Sequence, residues 1–434
     1  MSDPRDPAGR LRGRVTGSLL RDYLPGTASG RLFALSALTS SFGTGLFLAG
    51  ATVFFTSQAG LTHVQLGVGL GIAAFAGLVS TIPLGALADR AGARSILVGT
   101  LLWRAGWFVA LAFVQGPIAF AIAASCQTAA QNITGPVTQA LVGGIAGQDD
   151  RTRMMAVVRT VRNIGFSLGA LAATPLLLVD DIWVNRGVLI GNAAAFVVSA
   201  LLLIRLRTPG PARTAAFRNP LAAFRAVIDW RYVALTAVNG VLTLHMTVLA
   251  VGLPLWVTGH HGTPHALVPV LVLVNTVVAV VFQVPFAKRV TDSRTATRAL
   301  RLAGLALAGC AVSLSVPTSA APLVSVLAAL AACVLLTAGE LWQAAGGWEL
   351  SYAYAPVDRK NVYLSVFSLG AAVQDMVGPL MITGLVLARG PAGWLGLSAL
   401  FAVASLLPGS VVRRLERGRA PAAACPAAVG TPAG

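Results

Sequence analysis

Long stretches without a charged side chain constrain this chain more than any other feature of its sequence. Between Arg31 and Asp89 lie 57 consecutive uncharged residues, and between Arg231 and Lys288 lie 56. A helix needs roughly 20 apolar residues to cross the hydrocarbon core of a bilayer, so each stretch has room for two crossings and a turn. Only 11% of the residues are charged, against about 25% in a soluble domain. The chain is therefore expected to be a membrane protein that crosses the bilayer many times.

The hydrophobic residues, 56% of the 434, are enough for about twelve crossings of roughly 20 residues each. Weak helix breakers divide the long stretches into six predicted spans in each half of the chain. Those of the first half are 31–57, 64–88, 95–115, 117–145, 154–178 and 184–205. Those of the second half are 231–257, 265–287, 297–316, 321–347, 361–387 and 392–412. The predicted fold class is all-α, with twelve transmembrane helices in two halves of six.

The arginines and lysines follow the predicted topology. If the first 30 residues are cytoplasmic, 27 of the 32 basic residues fall in cytoplasmic segments or at the inner ends of the spans beside them, as the positive-inside rule requires. Both termini are then cytoplasmic, and the net charge of +17 is explained without a nucleic-acid partner. The first 30 residues are polar, so we expect no cleavable signal peptide.

An internal similarity at an offset of 200 residues suggests a parallel repeat. The segment 31–39 matches 231–239 at four of nine positions. The predicted organisation is an N-terminal tail (1–30), a first half (31–205), a cytoplasmic linker (206–230), a second half (231–412) and a disordered cytoplasmic tail (413–434). Two parallel six-helix repeats are typical of transporters whose binding site lies between the repeats.

The loop after the second span reads Gly85-Ala-Leu-Ala-Asp89-Arg90-Ala-Gly92-Ala-Arg94. It resembles the inner-loop signature of the major facilitator superfamily, with Ala93 in place of the first of two terminal basic residues. The resemblance covers about residues 31–412 and implies the twelve-helix fold, an inner latch against span eleven, and a cavity lined by spans one, four, seven and ten. The glycines permit a tight turn and close helix approach, and Asp89 is placed to meet cations or a helix N-terminus.

Other signatures of the drug and proton antiporters in this superfamily are degraded. Span four carries no charge where these antiporters have an arginine, and Ala170 replaces the proline of their span-five motif, although Gly165 and Gly169 fit it. Small residues at these positions still permit close helix packing. The segment 339–348, followed by Ala355 and Pro356, resembles permeases of actinobacteria, which implies a location in the plasma (inner) membrane of a bacterium.

Charged residues inside the predicted spans are the candidates for coupling transport to protons. A charge at a helix centre costs about 2.5 to 3.5 kcal/mol on insertion scales. Asp375 and Glu340 lie in the second half, whereas Arg104, Arg159 and Arg162 lie in the first, so charge pairs across the halves can form and break. Our hypothesis is that Asp375, Glu340 or both carry a coupled proton; the alternative is a permanent structural pair. We expect Glu349 to be solvated at the inner boundary.

Polar stripes at helical spacing predict which side chains face the cavity. The candidates for contact with substrate are Gln127, Gln131 and Thr134 on span four, Asn239 and Thr243 on span seven, and Arg162 on span five. Hydrogen bonding between helices explains the stripes equally well. Arg162, one turn deeper than Arg159, is the better candidate for a partner across the cavity or for an anionic group on the substrate, while Arg159 can extend to the inner surface.

Nothing in the sequence predicts a cofactor, a metal or an enzyme. No phosphate-binding loop is present, the four cysteines are scattered, and His260, His261 and His265 are better explained as a polar loop than as a metal site. We therefore expect a monomeric secondary transporter whose partners are a small solute, protons and lipid. Proton-coupled efflux of an amphipathic metabolite or antibiotic is the leading hypothesis. Uptake of a small solute by symport or facilitation is the alternative, which is favoured if the arginines bind an anionic solute. A membrane enzyme or a sensor that does not transport is the rival class.

Overall fold

A computed structural model describes residues 25–55, 61–176, 181–206, 229–260, 263–264, 266–317 and 321–419. Most of the predicted tails, 1–30 and 413–434, and of the linker, 206–230, lie outside the described residues, as do His261 and His265. The first six helices are α1 (Ala28–Val53), α2 (His63–Ala91), α3 (Ala93–Ala112), α4 (117–146), α5 (148–173) and α6 (Ile182–Ile204). The next six are α7 (Trp230–Gly259), α8 (Leu267–Lys288), α9 (Ser293–Ser313), α10 (Pro322–Tyr354), α11 (Lys360–Met381) and α12 (Pro391–Leu406), and α13 (Pro408–Arg419) follows them.

The predicted all-α class is confirmed. Among the described residues, nine helices are long and apolar enough to cross a membrane by themselves. Helices α4, α5 and α9 complete the twelve, and they are less apolar because they carry more polar side chains. The π-helical segment Val248–Gly252 lies within α7, and α11 is extended by the π-helical segment Ile382–Val386 and a last turn at Leu387–Arg389.

Helix ends differ from the prediction where charged residues are helical. Helix α5 starts six residues earlier than predicted, because Gly147 has a φ of 74° and alone separates α4 from α5. Helix α10 ends at Tyr354 and not at 347, since Glu349 finds partners inside the bundle. Residues 413–419, which we predicted as disordered tail, belong to α13; this part of the prediction is wrong because Val411, Val412 and Leu415 form a buried apolar stripe.

Acidic side chains determine where three helices begin. Asp181, Asp229 and Asp292 each lie just before a helix, and each carboxylate accepts hydrogen bonds from backbone N–H groups of the first turn. A capping residue of this kind satisfies donors that the helix itself leaves unpaired.

The core consists of two large hydrophobic clusters. One contains side chains from Phe33 to Leu206, and the other contains mainly side chains from Tyr232 to Leu415. Each cluster also takes in a few residues from the other half, such as Tyr352 in the first and Ala156 in the second. These exchanged residues lie towards the end of the bundle that carries the α2–α3 turn, Gly147 and the α10–α11 connection. We call it the inner end, because the arginine distribution predicts that it is cytoplasmic.

Glycines bring helices into the same kind of close contact in both halves. A Cβ on Gly169 of α5 would lie 1.9 Å from the Phe42 carbonyl oxygen of α1. A Cβ on Gly370 of α11 would lie 2.7 Å from the Thr236 carbonyl oxygen of α7. Backbones approach this closely only where no side chain intervenes. Helices one and five of the first half therefore pack as helices one and five of the second half do.

Candidate functional site

A cavity of about 420 Å³ lies between the two halves, at their centre. Its volume is in the range of about 300 to 1,000 Å³ that is typical of sites for drug-sized ligands. Helices α4, α5, α7, α10 and α11 form its walls, and the polar lining includes Gln139, Arg159, Arg162, Asn163, Asn239, Thr243, His245, Gln343 and Ser368. Apolar side chains, including Met155, Met246, Trp348 and Phe367, line the remainder. The cavity therefore combines an apolar wall with several hydrogen-bonding groups.

An ion pair between the two halves lies beside this cavity. The Arg159 guanidinium of α5 donates to the Glu340 carboxylate of α10, and the two side chains are 22% and 9% exposed. Asn275 of α8 donates from Nδ2 to the other carboxylate oxygen at 3.0 Å and also contacts Thr337 Oγ1 at 3.0 Å. Glu340 is thus held by a cation from one half and an amide from the other. The pairing corrects our sequence interpretation, because Arg159, and not Arg162, reaches across the cavity.

Arg162 is one helical turn beyond Arg159 and projects into open space. Its side chain is exposed and lines both the central cavity and a smaller cavity of about 50 Å³ inside the first half. Within the part of the chain that the structure describes, Arg162 forms no hydrogen bond or ion pair. It experiences instead the positive charges of Arg159 and Arg104.

Two amide side chains meet across the cavity wall of the second half. Gln343 Nε2 of α10 donates to Asn239 Oδ1 of α7 at 2.8 Å, and both side chains are buried. Thr243 donates to the Gly240 carbonyl at 2.7 Å. His245 approaches the Leu242 carbonyl through Nδ1 at 2.8 Å, whereas its buried Nε2 has no partner in the described part of the chain. The predicted residues Asn239 and Thr243 therefore line the cavity, and His245 joins them.

The predicted stripe on α4 does not form one surface of the cavity. Gln127 donates to Gln131 Oε1 at 3.1 Å, and Arg104 of α3 donates to the same oxygen at 3.1 Å. Thr134 lines the smaller cavity of the first half and donates to the Ala130 carbonyl. None of these three residues lines the central cavity, and contact between them and substrate stays a prediction. Arg104 is 6% exposed, and a buried cation requires hydrogen-bonding partners, so Gln131 of α4 turns towards it.

Polar contacts close the inner end beneath the cavity. Glu349 of α10 is 4% exposed, pairs with Arg151 at 2.7 Å and accepts from Thr152 Oγ1 at 2.7 Å. Gln139 of α4 donates to Ser351 Oγ at 2.6 Å. Glu349 is therefore not solvated, as we predicted, because two donors from α5 compensate its burial. These contacts join the halves on the inner side of the Arg159–Glu340 pair.

The inner-loop motif lies against α11 at the same end. Asp89 accepts from Asn361 N at 2.9 Å, Asn361 Nδ2 at 2.6 Å and Val362 N at 3.1 Å, which places a carboxylate on the first N–H groups of α11. Gly85 packs so closely on this helix that an added Cβ would lie 2.3 Å from Ser365 Oγ. The motif thus joins the two halves through one carboxylate and one glycine contact.

The other motif residues stay within the first half. Gly92 has a φ of 85° and forms the turn between α2 and α3. Arg94 donates to the Leu203 carbonyl at 2.9 Å and to the Ile204 carbonyl, at the end of α6. Arg90 is exposed. That the motif acts as a latch stays a prediction.

Asp375 occupies a different environment from Glu340. It lies one turn beyond Ala371 on the face of α11 from which Ser368 and Ala371 reach the cavity, and its side chain is exposed. The structure gives it no hydrogen bond or ion pair among the described residues. The two acids that we proposed for proton coupling therefore do not form one cluster.

The sequence analysis did not identify Gln343, Gln139, Asn163 and Asn275 as candidates. Gln343 lies three residues after Glu340, and Gln139 one residue after Thr138 of the predicted stripe; the first spacing could have indicated a shared helix face. Asn275 carries no such signal, because it lies alone in an apolar helix. The described residues contain no group of three His, Cys, Asp or Glu side chains that could hold a metal.

Comparisons with known proteins agree with this architecture. The sequence-family model of the Major Facilitator Superfamily matches residues 33–379 of this chain. Among curated proteins, "Multidrug resistance protein MdtH" of Proteus mirabilis is 26% identical over 221 residues, which are 50% of this chain and 53% of that protein. MdtH of Aeromonas hydrophila is 30% identical over 173 residues, or 40% of this chain and 43% of that protein. The chain spans about half the length of the curated relatives it matches.

Solved transporter structures share the fold. The transporter FucP in the outward conformation matches with a TM-score of 0.69 at 14% identity, over 90% of this chain and 99% of that chain. The human organic anion transporter MFSD10 matches with a TM-score of 0.65 at 17% identity, over 88% and 100%. The proton:xylose symporter XylE matches with a TM-score of 0.64 at 14% identity, over 88% and 94%.

Proposed function

The chain belongs to the major facilitator superfamily and is a multi-pass membrane transporter rather than an enzyme; from this premise we propose that it exports a small amphipathic solute in exchange for protons. The Arg159–Glu340 pair, which joins the halves beside the central cavity, is the observation that carries the proposal. Its two partners belong to different halves, so the pair must break whenever the halves separate at this level.

Protonation of Glu340 gives this pair a direct link to the proton gradient. An ionised Glu340 attracts Arg159 and stabilises closure of the inner end, whereas a neutral Glu340 loses this charge attraction and keeps its hydrogen bond with Asn275. The Glu340 carboxylate is nearly buried and the Arg159 side chain is 22% exposed, so loss of the carboxylate charge destabilises the closed inner end. Release of the proton on the other side of the membrane restores the pair. Asp375, which is exposed on the face of α11 next to the cavity, is the entry point that we propose for that proton.

Export is supported by the curated relatives, which are named multidrug resistance proteins. The arrangement of the cavity fits such a role, because an apolar wall with a few hydrogen-bonding groups accepts amphipathic solutes of varied shape. We further propose that residues 31–205 and 231–412 move as two halves around this cavity, and that both termini and the inner end are cytoplasmic in a bacterial plasma membrane. Arg162, Asn239 and Thr243 are the proposed substrate contacts.

Proton flux in liposomes tests this proposal. Purified protein is reconstituted with a pH-sensitive dye inside, and solute is added outside to wild type, Glu340→Gln, Asp375→Asn and the double variant. We expect solute-dependent proton movement opposite to the solute in wild type, and its loss in Glu340→Gln. Proton flux of wild-type size in the double variant would contradict the proposal. Movement of protons and solute in the same direction would replace export by symport.

A further inference from the structure

The electrostatic state of Arg162 distinguishes it from the other arginines inside the bundle. Arg159 is paired with Glu340, while Arg104 donates to Gln131 and stacks on the Phe196 ring at 4.3 Å. Arg162 is exposed into the central cavity and has no partner of either kind within the described segments. A guanidinium in such a place is available to a molecule that enters the cavity.

The charge around the two adjoining cavities is not balanced by the protein. Three arginines line them, namely Arg104, Arg159 and Arg162, and Glu340 compensates Arg159 alone. The arginines are close enough to repel one another. Uncompensated charge inside a membrane domain is costly and marks a binding site or an ion pathway. An anion bound beside Arg162 would remove this repulsion and supply the missing counter-charge.

The surroundings of Arg162 define the rest of the ligand. The same cavity presents amide and hydroxyl groups from Asn163, Asn239 and Ser368, and apolar surface from Trp348 and Phe367. A simple inorganic anion would leave this apolar surface unused. A molecule with one anionic end and an apolar body would use both parts of the cavity.

We propose that the transported solute is an amphipathic organic anion, whose carboxylate, sulfonate or phosphate oxygens pair with the Arg162 guanidinium. The planar guanidinium presents several N–H donors in a geometry that matches two oxygens of such a group. The apolar body packs on the side chains of Trp348 and Phe367. This inference rests on the proposed transport function, and it assigns to Arg162 the role of selecting the charge of the substrate.

A matched series of ligands tests the proposal by calorimetric titration of the full chain in lipid nanodiscs. The probes share one naphthalene ring and carry a carboxylate, a sulfonate, a phosphate monoester, a neutral carboxamide or a methylammonium group. Wild type is compared with Arg162→Gln, Arg162→Lys and the control Arg389→Gln. Arg389 is exposed and bonds only to the Leu385 carbonyl in the described structure, far along α11 from the cavity.

We expect the anionic probes to bind wild type more tightly than the carboxamide, and the methylammonium probe to bind least. Arg162→Gln should weaken binding of the anions by about tenfold to a hundredfold, since hydrogen bonds to charged groups are the strong ones. It should weaken carboxamide binding much less, since a neutral amide oxygen forms a weaker hydrogen bond with the guanidinium than an anion does, and the carboxamide binding that remains shows that the variant is folded. Arg162→Lys should retain part of the preference for anions, and Arg389→Gln all of it.

Three results would overturn the inference: equal affinity for the anion and the carboxamide, preference for the cation, or unchanged anion binding by Arg162→Gln. The outcome for transport is separate. Anion binding that depends on Arg162, without any solute-driven proton flux, would support this inference and contradict the proposed exchange. Proton flux driven only by neutral or cationic solutes would support the exchange and contradict this inference.

Discussion

Asp89→Asn tests whether the contact of the inner-loop motif with α11 holds the inner end closed. The carboxylate accepts three hydrogen bonds, two from backbone N–H groups and one from the Asn361 amide, at 2.6 to 3.1 Å. An asparagine keeps one acceptor oxygen, but its NH₂ group then faces the Val362 N–H, donor against donor. The substitution therefore removes one charge-assisted hydrogen bond and the negative charge at a helix N-terminus.

The expected size of the effect follows from these two losses. A hydrogen bond to a charged group contributes about 1.5 to 3 kcal/mol, and a charge at a helix N-terminus about 0.3 to 1 kcal/mol. Asp89 is partly exposed, so we take the lower part of this range, about 2 kcal/mol. At about 1.4 kcal/mol per tenfold, the ratio of closed to open inner ends should fall roughly 30-fold.

Distances between two spin labels, measured by double electron–electron resonance, report the ratio of closed to open inner ends. Spin labels at Ser95 of α3 and Arg294 of α9 occupy solvent-accessible inner positions, one in each half. The variant should show a new population at longer distance, which wild type lacks. Asp150→Asn is the matched control. It removes an equal charge, but Asp150 is 50% exposed and pairs with Arg153 of the same helix, α5. Identical distance distributions for wild type and Asp89→Asn would refute the role of this contact.

Three further predictions follow from contacts of the described residues. Gly85→Ala places a Cβ 2.3 Å from Ser365 Oγ and should open the inner end as Asp89→Asn does, and a second substitution, Ser365→Gly, should restore closure. In the control Gly99→Ala the new Cβ meets no atom within 4 Å, so the distances between the spin labels should not change. Asp375→Asn should leave the melting temperature unchanged. Glu340→Gln should lower the free energy of unfolding by about 3 kcal/mol, because Arg159 loses its counter-charge. Equal melting temperatures of the two variants would contradict the paired state of Glu340 and the unpaired state of Asp375 among the described residues. The pKa of the Asp292 carboxyl lies below its ordinary value because the Thr295 N–H donates to it. The ionised cap therefore stabilises α9 above about pH 4, and this stabilisation weakens as the pH falls. The difference in melting temperature between wild type and Asp292→Ala should be present at pH 7 and shrink at pH 3.

The twelve helices could be predicted from the sequence because the bilayer imposes their length. An uncharged stretch long enough for two crossings leaves few alternatives, and arginine positions fix which loops share a side. Helix ends near charged residues could not be predicted in the same way. Glu349 and Arg151 lie outside the predicted spans because they are charged. In the structure they form an ion pair at 2.7 Å, and α10 continues past Glu349.

The partners of buried polar groups depend on contacts between helices that are distant in sequence. The segregation of cations and acids predicted that pairs would join the halves, and one such pair is present. Which arginine would form it depends on the rotation of α5 relative to α10, and no local pattern defines that rotation. Gln131 of α4 illustrates the same limit, because its side-chain oxygen accepts from Arg104 of α3.

The central claim is that protonation of Glu340 couples solute movement to the proton gradient, and it is tested most directly by separating uphill transport from exchange. Liposomes with an imposed pH gradient are loaded with one of the naphthalene probes, and both accumulation against a gradient and exchange of labelled for unlabelled probe are measured. Wild type should perform both. Glu340→Gln should lose accumulation driven by the pH gradient and retain exchange, because the cavity remains while the coupling charge is absent. Accumulation of wild-type size in Glu340→Gln would contradict the account.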